Sequence, residues 1–201
     1  MRSAARRLRS LTSVSRVFYA IKANPHPGIL RTIAAEGLDF ECVSRGEIER
    51  VLSSLPGLQR QRVLYTPNFA PRGEYAWAFE QGVTVTIDNL YVLQHWAPLF
   101  ENRAVLVRVD TGTGRGHHQH VQTAGEYAKF GIPLDDLREV ARLAAAAHCR
   151  IVGLHAHSGS GIFEIGSWAE TAALLLASAG QFAQLRWLNV GGGLGVPEQA
   201  D

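Results

Sequence analysis

A lysine stands at the point where an apolar strand should end. Residues 18–21 (Phe-Tyr-Ala-Ile) form a short apolar run, Lys22 follows it, and Asn24 and Pro25 interrupt the strand pattern. A lysine among buried residues is costly unless it is paired, neutralised or covalently used. Its pKa also falls readily on burial, which makes it a nucleophile for Schiff-base chemistry. Taken alone, the pattern fits a lysine at the solvated end of a strand equally well.

Two later apolar runs open into residues suited to an anion and a flat ring. Residues 152–155 lead into His157-Ser158-Gly159-Ser160, and residues 187–190 lead into Gly191-Gly192-Gly193. Successive glycines let the backbone approach an anion closely and present several N–H groups to it. A glycine triplet by itself is explained equally well by a tight turn. Together, a lysine, a histidine ring and a Gly/Ser cradle at strand ends are the parts needed to hold pyridoxal phosphate.

With these parts in this order, the sequence resembles the fold-type III pyridoxal-phosphate decarboxylases, the family of ornithine, diaminopimelate and arginine decarboxylases. The family signatures Y-A-[VI]-K-A-N, H-x-G-S and G-G-G match residues 19–24, 157–160 and 191–193. The resemblance extends over nearly the whole chain. It implies pyridoxal 5′-phosphate as the cofactor.

The resemblance also assigns roles to individual residues. Lys22 would carry the cofactor covalently, and His157 would stack on its pyridine ring. The phosphate would lie in a cradle formed by Ser160, Gly191, Gly192 and Gly193.

Two charged residues are assigned places near the ring. Glu41 matches an acidic family position close to the cofactor and the stacking histidine, and Arg108 matches an inward arginine near the ring oxygen. A solvated salt bridge explains Arg108 nearly as well. His155 lies two residues before His157, so on one strand both would point to the same side, and we interpret His155 as structural and one layer deeper.

Apolar strand-like runs alternate with helix-like segments along the chain. The runs are residues 17–20, 40–43, 63–65, 83–87, 104–109, 150–155 and 185–190. The segments with helical spacing are residues 28–36, 45–52, 73–80, 134–147 and 167–179. This alternation predicts a parallel α/β sheet covered on both faces. Seven such units fit a barrel better than an open sheet, so we expect a (β/α)8 TIM-like barrel of the alanine racemase and decarboxylase type, with about seven of eight βα units present.

We expect residues 1–201 to form one pyridoxal-phosphate-binding barrel domain that is incomplete. The eighth strand and the C-terminal β domain of the family are absent from the sequence. The resemblance places three further elements of the family beyond Asp201. They are the acidic residue that pairs with the ring nitrogen, the residues that bind the substrate, and a cysteine that one subunit of a homodimer contributes to the site of the other. The chain alone is therefore expected to be inactive or nearly so.

The resemblance predicts an enzyme that decarboxylates a small amino acid. Residues 66–75, 114–118 and 129–133 resemble the diaminopimelate branch, and within it the bacterial form fused to an aspartate kinase. The predicted reaction is meso-diaminopimelate to L-lysine. Two alternatives remain at this point: a non-catalytic pyridoxal-phosphate carrier of the single-barrel type, and an amino-acid racemase of the same fold.

Composition argues against several other classes of protein. A net charge of +2 and a pI near 8.7 are too mild to indicate nucleic acid or an anionic membrane surface, and no apolar run approaches a bilayer span. Cys42 and Cys149 are isolated thiols, which suits a reducing cytoplasm. His117, His118 and His120 have no carboxylate or cysteine at ligand spacing, so no metal site is predicted.

The first residues are basic without any acid. The arginines of this segment are Arg2, Arg6, Arg7 and Arg9. This composition superficially resembles an organelle transit peptide. We favour an amphipathic helix with Leu8 and Leu11 on one face, leading into the first strand.

Overall fold

Parallel strands and helices alternate through both parts of the chain. The computed structural model describes residues 1–112, 115–116 and 130–196. The chain divides into two compact units, Met1–Thr86 and Ile87–Asp201. That residues 1–201 constitute one domain stays a prediction.

The first unit contains four helices and a set of parallel strands. Its elements are α1 Arg2–Arg9, β1 Phe18–Ala20, α2 Pro27–Ala35, β2 Asp39–Cys42, α3 Arg45–Ser54, β3 Val63–Tyr65, α4 Arg72–Gln81 and the start of β4 Thr84–Ile87. Each strand pairs in parallel with the next, with Ala20 opposite Glu41 and Glu41 opposite Leu64. Because the strands run parallel, their carboxyl ends meet at one edge of the sheet.

Helix α3 shows how the sequence sets these boundaries. Ser44 is its N-cap, and the Ser44 hydroxyl accepts a hydrogen bond from the Glu47 N–H at 3.3 Å. The Glu47 carboxylate reaches back to accept from the Val43 N–H at 2.7 Å. Two backbone donors at the helix start are thereby satisfied. The helix buries Ile48 and Val51 completely, so the cap fixes which face packs inward.

The second unit continues the same alternation. Its elements are α5 Tyr91–His95, α6 Ala97–Phe100, β5 Ala104–Asp110, β6 Arg115–Gly116, β7 Ile132–Pro133, α7 Leu137–Ala146, β8 Arg150–His155, β9 Gly159–Ser160, α8 Gly166–Ser178 and β10 Trp187–Asn189. Strand β8 lies between β5 and β10, and all three are parallel. Short β7 pairs with β5, and β6 pairs with β9.

The predicted alternation of strands and helices is confirmed. All seven predicted strands are present, with ends within two residues of the prediction, and the five predicted helices have ends within three. The two-residue strands β6, β7 and β9 and the short helices α5 and α6 were not predicted, because such short elements show no periodicity. No helix in the described part of the chain is long and apolar enough to cross a bilayer.

The N-terminal helix is present, but the prediction that Leu8 and Leu11 form its apolar face is wrong. Helix α1 ends before Leu11, and Leu8 and Leu11 are 43% and 47% exposed. Ala5 is the buried residue of α1. The Arg6 guanidinium donates to the Glu36 carboxylate at 2.8 Å, and this hydrogen bond lowers the pKa of Glu36. A small buried side chain and an ion pair therefore attach α1 to the end of α2.

A carboxylate at the amino end of β2 binds two guanidinium groups. Asp39 is 8% exposed, and its two oxygens lie 2.7 Å from Arg16 and 2.8 Å from Arg62. Arg16 also donates to the Gln61 carbonyl at 2.8 Å, and Arg62 to the Leu38 carbonyl at 2.7 Å. The network joins the segments that enter β1, β2 and β3.

We expect Asp39→Asn to lower the free energy of unfolding by about 2–3 kcal/mol, because two partly buried guanidinium groups lose their carboxylate. Urea denaturation measures the change. The matched control is Glu49→Gln, which removes an exposed pair with Arg45 at 2.8 Å. That variant should cost less than about 0.5 kcal/mol. Equal shifts for the two variants would contradict a structural role for the Asp39 network.

Candidate cofactor-binding site

Lys22 lies in a turn just beyond the first strand. Strand β1 ends at Ala20, and Ile21–Ala23 form a single 3-10 turn. Ile21 is completely buried, whereas Lys22 is exposed. The expected partial desolvation of Lys22 is therefore wrong for this structure, because the tight turn buries the preceding isoleucine and leaves the lysine outside. The amine is accessible to a ligand.

Hydrogen bonds fix the backbone that follows this lysine. The Tyr19 hydroxyl donates to the Asn24 carbonyl at 3.3 Å, and the Asn24 side-chain oxygen accepts from the His26 N–H at 3.0 Å. His26 then caps helix α2 by accepting from the Gly28 N–H at 3.1 Å. Partial burial raises the pKa of Tyr19, which keeps its hydroxyl a donor. The lysine turn is thus anchored to the strand before it and to the helix after it.

Glu41 occupies the neighbouring strand of the same unit. It lies in β2 opposite Ala20 and is half-buried. Its carboxylate accepts a hydrogen bond from the hydroxyl of Thr66, which directly follows β3 and is buried. The Thr66 N–H donates to the Cys42 carbonyl at 2.8 Å. Thr66 was not predicted as part of the site, although its place just after a strand was a signal.

His157 lies beyond the strand that was predicted to hold it. Strand β8 ends at His155, so His157 is not on it, and the argument that the two rings share one face of a strand is wrong. Pairing continues for one more residue, because the Ala156 N–H donates to the Asn189 carbonyl at 2.9 Å. His155 is 6% exposed, as expected for a structural residue, and His157 is half-buried.

The glycine triplet lies directly on the turn formed by residues 157–160. A Cβ added to Gly191 would overlap the Ala156 carbonyl oxygen and come within 3.0 Å of the His157 Cα. A Cβ on Gly193 would overlap the Gly159 carbonyl oxygen, and both glycines have positive φ, +73° and +92°. The contact and the backbone conformation both require glycine. These contacts account for glycine at positions 191 and 193, whereas a Cβ at Gly192 would meet no atom within 4 Å.

Backbone hydrogen bonds join the loop and the turn into one structure. The Ile162 N–H donates to the Gly193 carbonyl at 2.8 Å, and the Gly195 N–H donates to the Ile162 carbonyl at 2.8 Å. The Gly192 N–H approaches the His157 Nδ1 at 3.5 Å, a long hydrogen bond. Gly192 itself faces open space. His157, Ser160 and the triplet therefore lie together in the second unit, and their role as a cofactor site stays a prediction.

Ser160 and Gly192 give this structure an accessible rim. Ser160 is exposed, and it forms β9 with Gly159, pairing with Gly116. A serine hydroxyl and a loop whose glycines let an anion approach the backbone closely suit a phosphate. The residues present therefore fit the phosphate end of pyridoxal phosphate.

Arg108 is buried inside strand β5. It is 8% exposed and lies opposite His155 in the sheet register. Its guanidinium carbon lies 4.9 Å from the centroid of the Phe130 ring. The burial of Arg108 argues against the solvated alternative, and the guanidinium makes a cation–π contact with Phe130 that was not predicted.

Neither thiol is a reactive group. Burial raises the pKa of Cys149 to about 11, and burial together with the Glu47 and Glu41 carboxylates raises the pKa of Cys42 further. Both stay protonated at neutral pH and are poor nucleophiles. Within the described residues, no group of three potential ligands could hold a metal ion. The cluster of His117, His118 and His120 lies outside those residues.

The first unit therefore presents Lys22 and Glu41, and the second presents Arg108, His157, Ser160 and the glycine triplet. The family model described as "Pyridoxal-dependent decarboxylase, pyridoxal binding domain" matches residues 1–201. The chain belongs to this family. Its cofactor is pyridoxal phosphate, as predicted.

Relatives and solved structures agree with this assignment. The diaminopimelate decarboxylase of Methanothermobacter thermautotrophicus is 35% identical over 189 residues, which cover 90% of this chain and 43% of that protein. The diaminopimelate decarboxylase of Deinococcus radiodurans is 34% identical over 180 residues, covering 89% and 46%. A crystal structure of a diaminopimelate decarboxylase superposes with a TM-score of 0.86 at 29% identity, covering 99% of this chain and 48% of that one. The expected decarboxylase-type barrel fold is confirmed, and the chain spans a little under half the length of these relatives.

Proposed function

We propose that this chain is the cofactor-binding part of an enzyme that removes the α-carboxylate of an amino acid, with meso-diaminopimelate as substrate and L-lysine as product. The observation that carries the proposal is the glycine loop packed onto the 157–160 turn. The loop and the turn lie against each other beside the His157 ring, an arrangement that would suit a phosphate. The exposed Lys22 in its fixed turn supplies the amine.

Some residues of the site would attach the cofactor, and others would orient it. When bound, the cofactor supplies the electron sink that accepts the charge left at the α carbon as carbon dioxide departs. Lys22 would hold the cofactor covalently through its amine. Ser160 and the Gly193 N–H would donate charge-assisted hydrogen bonds to the phosphate, the stronger kind. The Gly191 and Gly192 N–H groups already donate to the Asn189 side chain and to His157.

Three further side chains would set the orientation of the ring. The His157 Nδ1 lies 3.5 Å from the Gly192 N–H, a contact that would restrain the ring plane. The Arg108 guanidinium, held against the Phe130 ring, would supply a positive charge to the ring oxygen of the cofactor. Glu41, oriented by the Thr66 hydroxyl, would supply a carboxylate to the cofactor.

The diaminopimelate branch is supported by the relatives that match the chain. Two of them at 34–35% identity carry that name, and a probable ornithine decarboxylase of Dictyostelium discoideum matches at 30% identity over 182 residues. These matches favour a decarboxylase over the carrier and racemase alternatives. We further propose that the complete enzyme is a cytoplasmic homodimer acting on a small amino acid.

Carbon dioxide release tests the proposed reaction. The substrates to compare are meso-diaminopimelate, L-ornithine and L-arginine, each offered to the 201-residue chain and to this chain fused to the C-terminal half of the Methanothermobacter relative. We expect release from meso-diaminopimelate by the fusion and little or none by the chain alone, because half the length of the relatives is missing. A fusion that prefers L-ornithine would contradict the substrate, and equal turnover by the short chain would contradict the need for a second part.

A further inference from the structure

We propose that Thr171, on helix α8, is a positioning residue for the phosphate of the cofactor. It would act through a buried hydroxyl pair with Ser158, which fixes the 157–160 turn from the helix side. The inference rests on the proposed function of that turn as part of the phosphate cradle.

The pair is short, buried and has a defined direction. The Ser158 Oγ lies 2.8 Å from the Thr171 Oγ1, and the two residues are 7% and 4% exposed. The Thr171 hydroxyl donates its single proton to the Ser167 carbonyl at 2.8 Å. It can therefore only accept from Ser158, so the hydroxyl of Ser158 is the donor of the pair.

This pair holds the turn through a contact separate from those of the glycine loop. The loop contacts the turn through Gly191 and Gly193, whereas Ser158 contacts helix α8. Ser160 is exposed, so packing does not hold its side chain, and its position depends on the backbone of the turn. Removing the acceptor at Thr171 would leave a buried serine hydroxyl without a partner, which the turn can relieve only by moving.

Helix α8 also provides a matched control for this inference. The Ser178 hydroxyl donates to the Leu174 carbonyl at 3.1 Å, the same four-residue back-bond that Thr171 makes to Ser167. Ser178 is 7% exposed, so its burial is comparable. The Ser178 hydrogen bond stays within helix α8, whereas Thr171 is also bonded to Ser158 of the turn. If the substitutions acted only by destabilising the helix, variants at Thr171 and at Ser178 would both lose affinity. If Thr171 positions the turn, only the variant at Thr171 would lose affinity.

The experiment compares the affinities of pyridoxal phosphate and of pyridoxal, which lacks the phosphate, by absorbance titration of the full chain. We expect Thr171→Val to weaken pyridoxal phosphate about five- to twentyfold, a partial loss of one hydrogen bond to a charged group, while changing pyridoxal less than about twofold. Thr171→Ser, which keeps the hydroxyl, should restore the affinity, and Ser178→Ala should leave both affinities unchanged. If Thr171→Val does not fold, Ser158→Ala removes the other partner of the same pair and gives the same readout.

The outcomes separate this inference from the proposed function. If the unsubstituted chain binds pyridoxal as tightly as pyridoxal phosphate, the phosphate cradle itself is wrong. If the unsubstituted chain prefers pyridoxal phosphate, two results overturn the role of Thr171. One is an unchanged preference in Thr171→Val. The other is an equal loss for both ligands, which indicates a general loosening of the unit.

Discussion

Replacing Lys22 with alanine is expected to abolish covalent attachment of pyridoxal phosphate. The chain contains two lysines, Lys22 and Lys129, and Lys22 follows β1 in a fixed, exposed turn. Without its amine the cofactor aldehyde has no partner at the site. The purified variant mixed with the cofactor should therefore show only the absorption spectrum of the free cofactor, whereas the unsubstituted chain shows an added visible band.

Lys129 supplies the matched control for this prediction. Lys129→Ala removes the other lysine and should leave the visible band in place. A band of equal intensity in Lys22→Ala would show that another amine holds the cofactor. The assignment of Lys22, and with it the proposed attachment step, would then be wrong.

Replacing Gly193 with valine is the second change for which we expect a large effect. Gly193 has a φ of +92°, and any Cβ there would overlap the Gly159 carbonyl oxygen, so the loop must move away from the turn. Losing a charge-assisted hydrogen bond to the phosphate costs about 1.5–3 kcal/mol, which weakens pyridoxal phosphate roughly tenfold to more than a hundredfold. Titration of the cofactor band measures the dissociation constant.

Gly180 offers a control of the same chemical kind in the same unit. It lies in the 3-10 turn after α8, and a Cβ there would meet no atom within 4 Å. Gly180→Ala should leave cofactor affinity unchanged. Equal affinities for Gly193→Val and the unsubstituted chain would count against the glycine cradle.

The sequence predicted the order of elements because each strand and helix has its own local pattern. The strand of residues 63–65 was predicted to the residue, and the helix that begins at Ser44 carries its cap in sequence. The phosphate cradle was predictable for a similar reason. Glycine at three successive positions after a strand leaves few interpretations once a His-x-Gly-Ser turn is also present.

Contacts between residues far apart in sequence could not be predicted in this way. The two arginines on Asp39 lie 23 residues from it on either side, and no local pattern marks them. The same holds for Phe130 against Arg108 and for Thr171 against Ser158. These partners become visible only once the elements that carry them are packed.

The predicted environment of Lys22 failed for a different reason. The sequence pattern showed an apolar run ending in lysine, and burial was inferred from the run. A 3-10 turn starting at Ile21 changes which side chain points inward. Ile21 is buried there, and the amine of the next residue, Lys22, is exposed. Strand periodicity carries no information about such a turn.

The most direct test of the central claim is to reduce the chain with borohydride in the presence of pyridoxal phosphate and map the modified peptide. Trypsin cleaves after Arg16 and Arg31, and a modified Lys22 would block the cleavage between them. The account predicts a single peptide of residues 17–31 that carries the reduced cofactor, with Lys129 unmodified. Reduced cofactor on Lys129 or on the N-terminal amine, with cleavage after Lys22 intact, would contradict it.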